Sequence, residues 1–165
     1  AAIVDLMNPL VLDTLALRDA AKLAHWAARG PHFVALHGLF DDLAGALASH
    51  ADELAEYVAL QLGGRPVGSA EQVAGNRLDA YPVDLSDGME HCEAICARAR
   101  AFLAFVEDGL ARCNELGASD AFRLLDELKS DVAKPAGMLC AHLPDGALDS
   151  GPASEPASHR PSARP

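Results

Sequence analysis

Lysine is nearly missing from this chain: Lys22, Lys129 and Lys134 are the only three among 165 residues. With a formal net charge of -11 at pH 7, an unmodified surface repels nucleic acid and anionic lipid and attracts cations. Aromatic residues are scarce, 5% against 50% hydrophobic overall, so a core must be built mainly from Leu, Ala and Val. No apolar run approaches the roughly 20 residues that span a bilayer. The segment from Ala1 to Leu10 lacks the basic region of a secretory signal, so the cytoplasm is the expected compartment, with no membrane partner. Also missing are a CxxC pair, a Gly-rich phosphate loop and any long repeat. The four cysteines, Cys92, Cys96, Cys113 and Cys140, fall inside helical patterns and are expected as reduced core residues.

What the chain does have is helical periodicity. Residues 1–8 read as an N-terminal extension, and Asn8-Pro9 supplies an N-cap with Pro at the first helical position. A first helix then runs to about Arg29, with Leu12, Leu15, Ala16, Leu23 and Trp26 as its apolar face. Arg29-Gly30-Pro31 punctuates the pattern. A second helix follows from about His32 to Leu62, carried by Leu36, Phe40, Leu43, Leu47, Leu54 and Val58 and stopped by Gly63-Gly64. From Gly63 to Leu85 the signals are Gly, Pro and Asn, with a short helix around Ala70 to Ala74, which makes a long crossover rather than a tight hairpin. Asp87 with Glu90 opens a third helix, whose Cys92, Ile95, Ala99, Phe102, Val106 and Leu110 face the core until Gly117. Ser119 caps a fourth, with Phe122, Leu125, Leu128, Val132 and Leu139 buried to about Leu143 and a kink or weak point at Pro135 and Gly137. The fold class is all-α: a ferritin-like four-helix bundle over residues 9–143 with one long crossover carrying a short helix. Residues 144–165, rich in Pro, Ser and Ala, read as a disordered tail.

The chemistry lies on the second helix. His37/Asp41 and Asp52/Glu56 are two pairs at i, i+4 spacing. The eleven positions from Asp41 to Asp52 put about 16 Å between the pairs along the axis, too far for one ion, while all four side chains share a stripe about 100° wide. Two copies packed antiparallel about a two-fold axis would bring His37/Asp41 of one chain against Asp52/Glu56 of the other. His25 and His37 each lie six residues from Pro31, so in a helical hairpin turning there they stand level.

The residues His25-Trp26, Arg29-Gly30-Pro31-His32-Phe33, Leu36-His37, Leu39-Phe40-Asp41, His50-Ala51-Asp52, Leu54-Ala55-Glu56 and Leu62-Gly63-Gly64 together resemble the signature of the Dps miniferritins, the DNA-binding proteins from starved cells. Tyr81-Pro82-Val83-Asp84 and Met138-Leu139 with Ala141-His142-Leu143 extend the likeness over residues 10–143. The resemblance implies a hollow dodecamer built on two-fold dimers, which oxidises Fe(II), preferentially with hydrogen peroxide rather than oxygen, and stores ferric mineral. It implies iron ligands His25, His37 and Asp41 from one chain and Asp52 and Glu56 from its mate. Imidazole and carboxylate suit Fe(II), and carboxylates stabilise Fe(III). Trp26 is then a candidate electron donor, with buried packing as its structural alternative. One residue more than the family pattern separates Glu56 from Gly63, which predicts a bulge at the end of the second helix. The lysine-rich tail by which some members bind DNA is absent, so DNA binding is not inherited.

Several groups have a plain structural reading beside a functional one. His91 with Cys92 and Cys96 reads as core packing rather than a soft-metal site. His50 reads as a helix-surface residue, with an accessory metal contact as the alternative. Asp120, Asp126, Glu127 and Asp131 line the early fourth helix; solvated charges are the plain account, and an acidic iron-entry pore formed by three symmetry copies is the functional one. No Glu is followed three residues later by His, which excludes the in-chain di-iron centre of ordinary ferritins. Two competing functions stand beside the iron store. One is a nucleoid protein compacting DNA through the tail residues His159, Arg160 and Arg164. The other is a cage whose interface ligands hold Zn(II).

Overall fold

The computed structural model describes residues 2–144. Four long helices form an antiparallel bundle: α1 (Ala2–Ala27), α2 (Phe33–Glu56), α4 (Gly88–Leu116) and α5 (Ser119–Cys140), with the short α3 (Ala70–Val73) in the crossover between α2 and α4. Around the bundle α1 packs on α2 and α4, and α5 packs on α2 and α4. Phe40, Phe102, Leu17, Leu43, Leu47 and Leu125 are fully buried at its centre. No β-strand occurs among the described residues; an isolated bridge joins Arg29 to Asp87. No helix of the described residues is long and apolar enough to cross a membrane. The expected tail beyond residue 144 lies outside the described residues.

The start of α1 corrects the sequence reading. The helix opens at Ala2, not at Asn8-Pro9, and carries Pro9 in its interior. A Pro inside a helix costs about 3 kcal/mol. Burial of Met7, with Ile3, Val4 and Leu6 packed against the core, offsets this at about 1.5–3 kcal/mol for each fully buried side chain. The Asn8 amide turns away from capping and donates to Arg65 O at 3.0 Å. The buried face of α1 is also rotated from the expected one: of the expected residues Ala16 is buried, beside Met7, Leu10, Leu17, Ala21 and Ala24, whereas Leu12, Leu15 and Leu23 are part-buried and Trp26 is 64% exposed.

The second helix matches its pattern, with Leu36, Phe40, Leu43, Leu47, Leu54 and Val58 all buried. It passes after Glu56 into a π-helical segment, Tyr57–Gln61. The extra residue before Gly63 is absorbed there, C-terminal to the carboxylates. The short crossover helix is capped by Ser69, which accepts from Gln72 N while the Gln72 side chain accepts from Ser69 N. Asp87 caps α4 through Met89 N and Glu90 N, and Gly117 ends it in the left-handed conformation. Ser119 is not the cap of α5: Ala118 holds that position without a side-chain bond. Despite Pro135 and Gly137, α5 is unbroken to Cys140, because Val132, Ala136 and Leu139 remain buried on one face.

Two further features depart from expectation. Cys96 and Cys140 form a disulfide joining α4 to α5, with Cα atoms 5.6 Å apart; the packed register of the two helices puts them in bonding position although 44 residues separate them. Cys92 and Cys113 are free and buried. Asp13 is fully buried in α1, where its carboxylate accepts from Arg77 N (2.8 Å), Nε (2.8 Å) and Nη2 (2.5 Å). That charge-assisted pairing ties the crossover down to the bundle.

Candidate metal centre

The hairpin turn fixes the centre. Gly30 sits at φ 106°, a conformation open mainly to glycine, and Phe33 N donates to Gly30 O at 3.1 Å. Gly88, at the start of α4, donates its N–H to Arg29 O at 2.7 Å. A Cβ on Gly88 would stand 3.0 Å from that oxygen and 3.1 Å from Leu36 Cδ1, so its bareness lets α4 clamp the turn.

Held this way, His25 and His37 stand level, as the hairpin symmetry predicts: the rings stack with centroids 3.7 Å apart and planes 21° from parallel. Each ring is fastened to the other residue's backbone. His25 Nδ1 donates to His37 O at 2.8 Å, and His37 Nδ1 donates to His25 O at 2.8 Å. A carbonyl only accepts, so both Nδ1 atoms carry the proton and both Nε2 atoms are left as lone-pair donors in the neutral rings. The His25 carbonyl lies in the last turn of α1, where carbonyls lose their intrahelical partners, and the His37 ring supplies one. Phe33 packs against His37, ring centroids 4.9 Å apart.

Asp41, one turn beyond His37, is exposed and accepts from Lys22 Nζ at 2.5 Å. That hydrogen bond, aided by the positive charge on Lys22, holds its carboxyl below the usual range despite some desolvation. Lys22 is three residues before His25, on the same helical face, a spacing that puts it near the centre without marking Asp41 as its partner. Asp52 and Glu56 are exposed further along α2. Glu56 borders an open depression of about 390 Å³ with Glu53, Tyr57, Arg123 and Glu127. Within one chain the described residues bring together no group of three or more His, Cys, Asp or Glu side chains able to hold an ion.

His50 corrects its expectation as a surface residue: it is buried, and its Nε2 lies 2.9 Å from Asp131 Oδ2, with Glu53 Oε2 3.6 Å from Nδ1. It pins α2 to α5. The four acidic residues of α5 are all exposed, but Glu127 pairs with Arg123 at 2.9 Å and Asp131 with His50. His91 is buried as core packing. It is 3.0 Å from Leu85 O through Nε2 and 2.5 Å from the Tyr81 hydroxyl through Nδ1, and burial pushes its pKa down.

Comparison with known proteins adds ancestry. A ferritin-like domain model matches residues 4–147. A DNA protection during starvation protein from Agrobacterium fabrum is 28% identical over 144 residues, spanning 87% of this chain and 88% of its own. Among solved structures, DpsC from Streptomyces coelicolor superposes with a TM-score of 0.81 at 29% identity, covering 87% of this chain and 84% of its own. Dps from Microbacterium arborescens in its high iron form gives 0.79 at 27%, covering 86% and 92%. With the family model matched along most of its length and its all-α fold shared with these structures, the chain belongs to the ferritin-like family, and within it stands with the Dps proteins.

Proposed function

We propose that this protein oxidises Fe(II) at sites shared between two copies of the chain and stores the ferric product inside a closed homo-oligomer, a dodecamer built on two-fold dimers. Iron oxidation and storage is the general chemistry of the family to which the chain belongs. The observation that carries the finer reading is the mutual fastening of His25 and His37, which presents two unprotonated Nε2 atoms beside Asp41. The remaining carboxylates, Asp52 and Glu56, lie about 16 Å further along the same helix. Neither half is a complete site, and an antiparallel second copy completes both.

Hydrogen peroxide is the preferred oxidant in this reading: one electron from each of two Fe(II) ions reduces it to water without releasing hydroxyl radical. Trp26, exposed next to His25, would supply the second electron of peroxide reduction where only one Fe(II) is bound. Asp120, Asp126, Glu127 and Asp131 would focus Fe(II) toward an entry pore formed by three copies. Zn(II) is expected to compete for the same ligands. The cytoplasm is the proposed location, and with so acidic a chain DNA binding is not expected at physiological salt.

The test is D52N/E56Q, with stopped-flow Fe(III) absorbance after peroxide addition and assembly mass recorded in parallel. Oxidation should slow by at least about tenfold, the lower end of what even supporting groups of a metal site are worth, while mass is unchanged. Wild-type kinetics in the variant would refute the shared site. A tail-dependent mobility shift of duplex DNA at physiological salt would instead favour the nucleoid reading.

A further inference from the structure

Two other histidines meet at the far side of the hairpin turn. His32 lies just ahead of α2 and His142 just after α5, 110 positions later in the chain, yet their ring centroids are 6.3 Å apart with planes at 69°. His32 is exposed and His142 is part-buried. His142 Nδ1 donates to Met138 O at 3.0 Å, which fixes the tautomer and leaves Nε2 free. Fastening one ring nitrogen to a backbone carbonyl is the usual arrangement of a metal-ligating histidine. Met138, one turn before His142 on the same face, is a large apolar side chain left 51% exposed.

The spacing selects a coordination geometry. An imidazole nitrogen stands about 2.0 Å from a bound metal and about 1.1 Å from its own ring centre, so rings on opposite sides of one ion have centres about 6 Å apart, against about 5 Å at a tetrahedral angle. The observed separation suits a wide angle between the two imidazoles. No third His, Cys, Asp or Glu among the described residues completes a group here, so a four-coordinate zinc site is not provided for. A thioether is, and thioether with imidazole is a donor set for Cu(I).

We propose that His32, His142 and Met138 form a copper(I) site on each chain, separate from the His25/His37 centre and independent of the iron chemistry. Bound there, the ion would link the start of α2 to the end of α5.

The test is Cu(I) titration of the full chain under ascorbate, in competition with a chromophoric Cu(I) chelator. It is made in the C96S/C140S background so that no thiol released from the disulfide contributes. One equivalent per chain should disappear in H32A/H142A and persist in H25A/H37A. Loss of a ligand should weaken binding at least about 100-fold, beyond what loss of a supporting partner costs, and M138L should weaken it less. Neither histidine is buried in the core, so H32A/H142A should keep assembly mass and iron kinetics. Unchanged copper stoichiometry in H32A/H142A would overturn the proposal, as would loss of that equivalent in H25A/H37A alone. Zn(II) binding at the same residues as tight as Cu(I) would overturn the metal assignment.

Discussion

Removing the Cys96–Cys140 bond should cost this protein a large part of its stability, and the size of the effect can be worked out from where the bond sits. It closes a loop of 44 residues that contains most of α4, the turn at Gly117 and all but the last residue of α5. In the chain-entropy account, closing such a loop restricts the unfolded chain by about 4 kcal/mol at 25 °C. For a chain of this length each kcal/mol corresponds to about 2–4 °C in Tm, so the expected shift is about 8–16 °C. The assay compares wild type with C96A/C140A by calorimetry at matched subunit concentration, since assembly makes Tm concentration-dependent, each with and without reductant. Wild type should fall toward the variant when reduced, and the variant should ignore reductant. Cys92 should not substitute as a bonding partner, because burial pushes its thiol up to about 11 and its S–H already donates to Leu139 O at 3.0 Å. Coincident melting of oxidised wild type and variant would refute the reasoning, since the loop-closure term follows from the bond and the length of the loop it closes.

Other consequences are as direct. K22M frees Asp41 from its ion pair and should tighten first-site Fe(II) binding by no more than about fivefold, the worth of an exposed pair, measured by anaerobic titration; weaker binding would mean Lys22 orients Asp41 rather than competing for it. R77A strands the buried Asp13 carboxylate with one backbone donor and should destabilise the chain, by less than the roughly 3–5 kcal/mol of a fully buried pair because Arg77 is itself part-exposed; a neutral result in denaturant melts would contradict that. His91, with its pKa lowered by burial, stays neutral in the folded state below the pH where the unfolded chain takes up a proton, about 6.5. Its contribution to stability is therefore present above that pH and lost as pH falls toward the lowered value. H91N should flatten this part of the stability profile, and an unchanged slope would assign the acid sensitivity elsewhere.

The parts of the molecule legible in the sequence are those fixed by local chemistry. Gly30 and Pro31 place the hairpin turn, and from it the level stance of His25 and His37 follows by counting. Asp87 and Gly117 bound α4, a short crossover helix falls where Ala70 to Ala74 predicts one, and the extra residue after Glu56 announces the π-helical segment. What escaped depends on neighbours distant in sequence. Asn8-Pro9 is a sound local start signal overridden by the burial of Met7. The exposure of Trp26 and the burial of His50 depend on how helices are rotated against one another. The disulfide and the Lys22–Asp41 pair require a packed register between two helices that no pattern within one of them contains.

The reciprocal bonds between His25 and His37 run from ring to backbone, not from ring to ring. Each residue's carbonyl supplies the acceptor that sets the other ring's proton, and an alanine keeps that carbonyl, so deleting one ring takes away the stacked neighbour but leaves the survivor fastened in its tautomer. Damage at the centre is therefore expected to be graded: H25A and H37A should each cost clearly less metal affinity than both together. A centre organised this way keeps a half-working intermediate open to drift, because the tautomers are set by the main chain, which side-chain substitution does not reach.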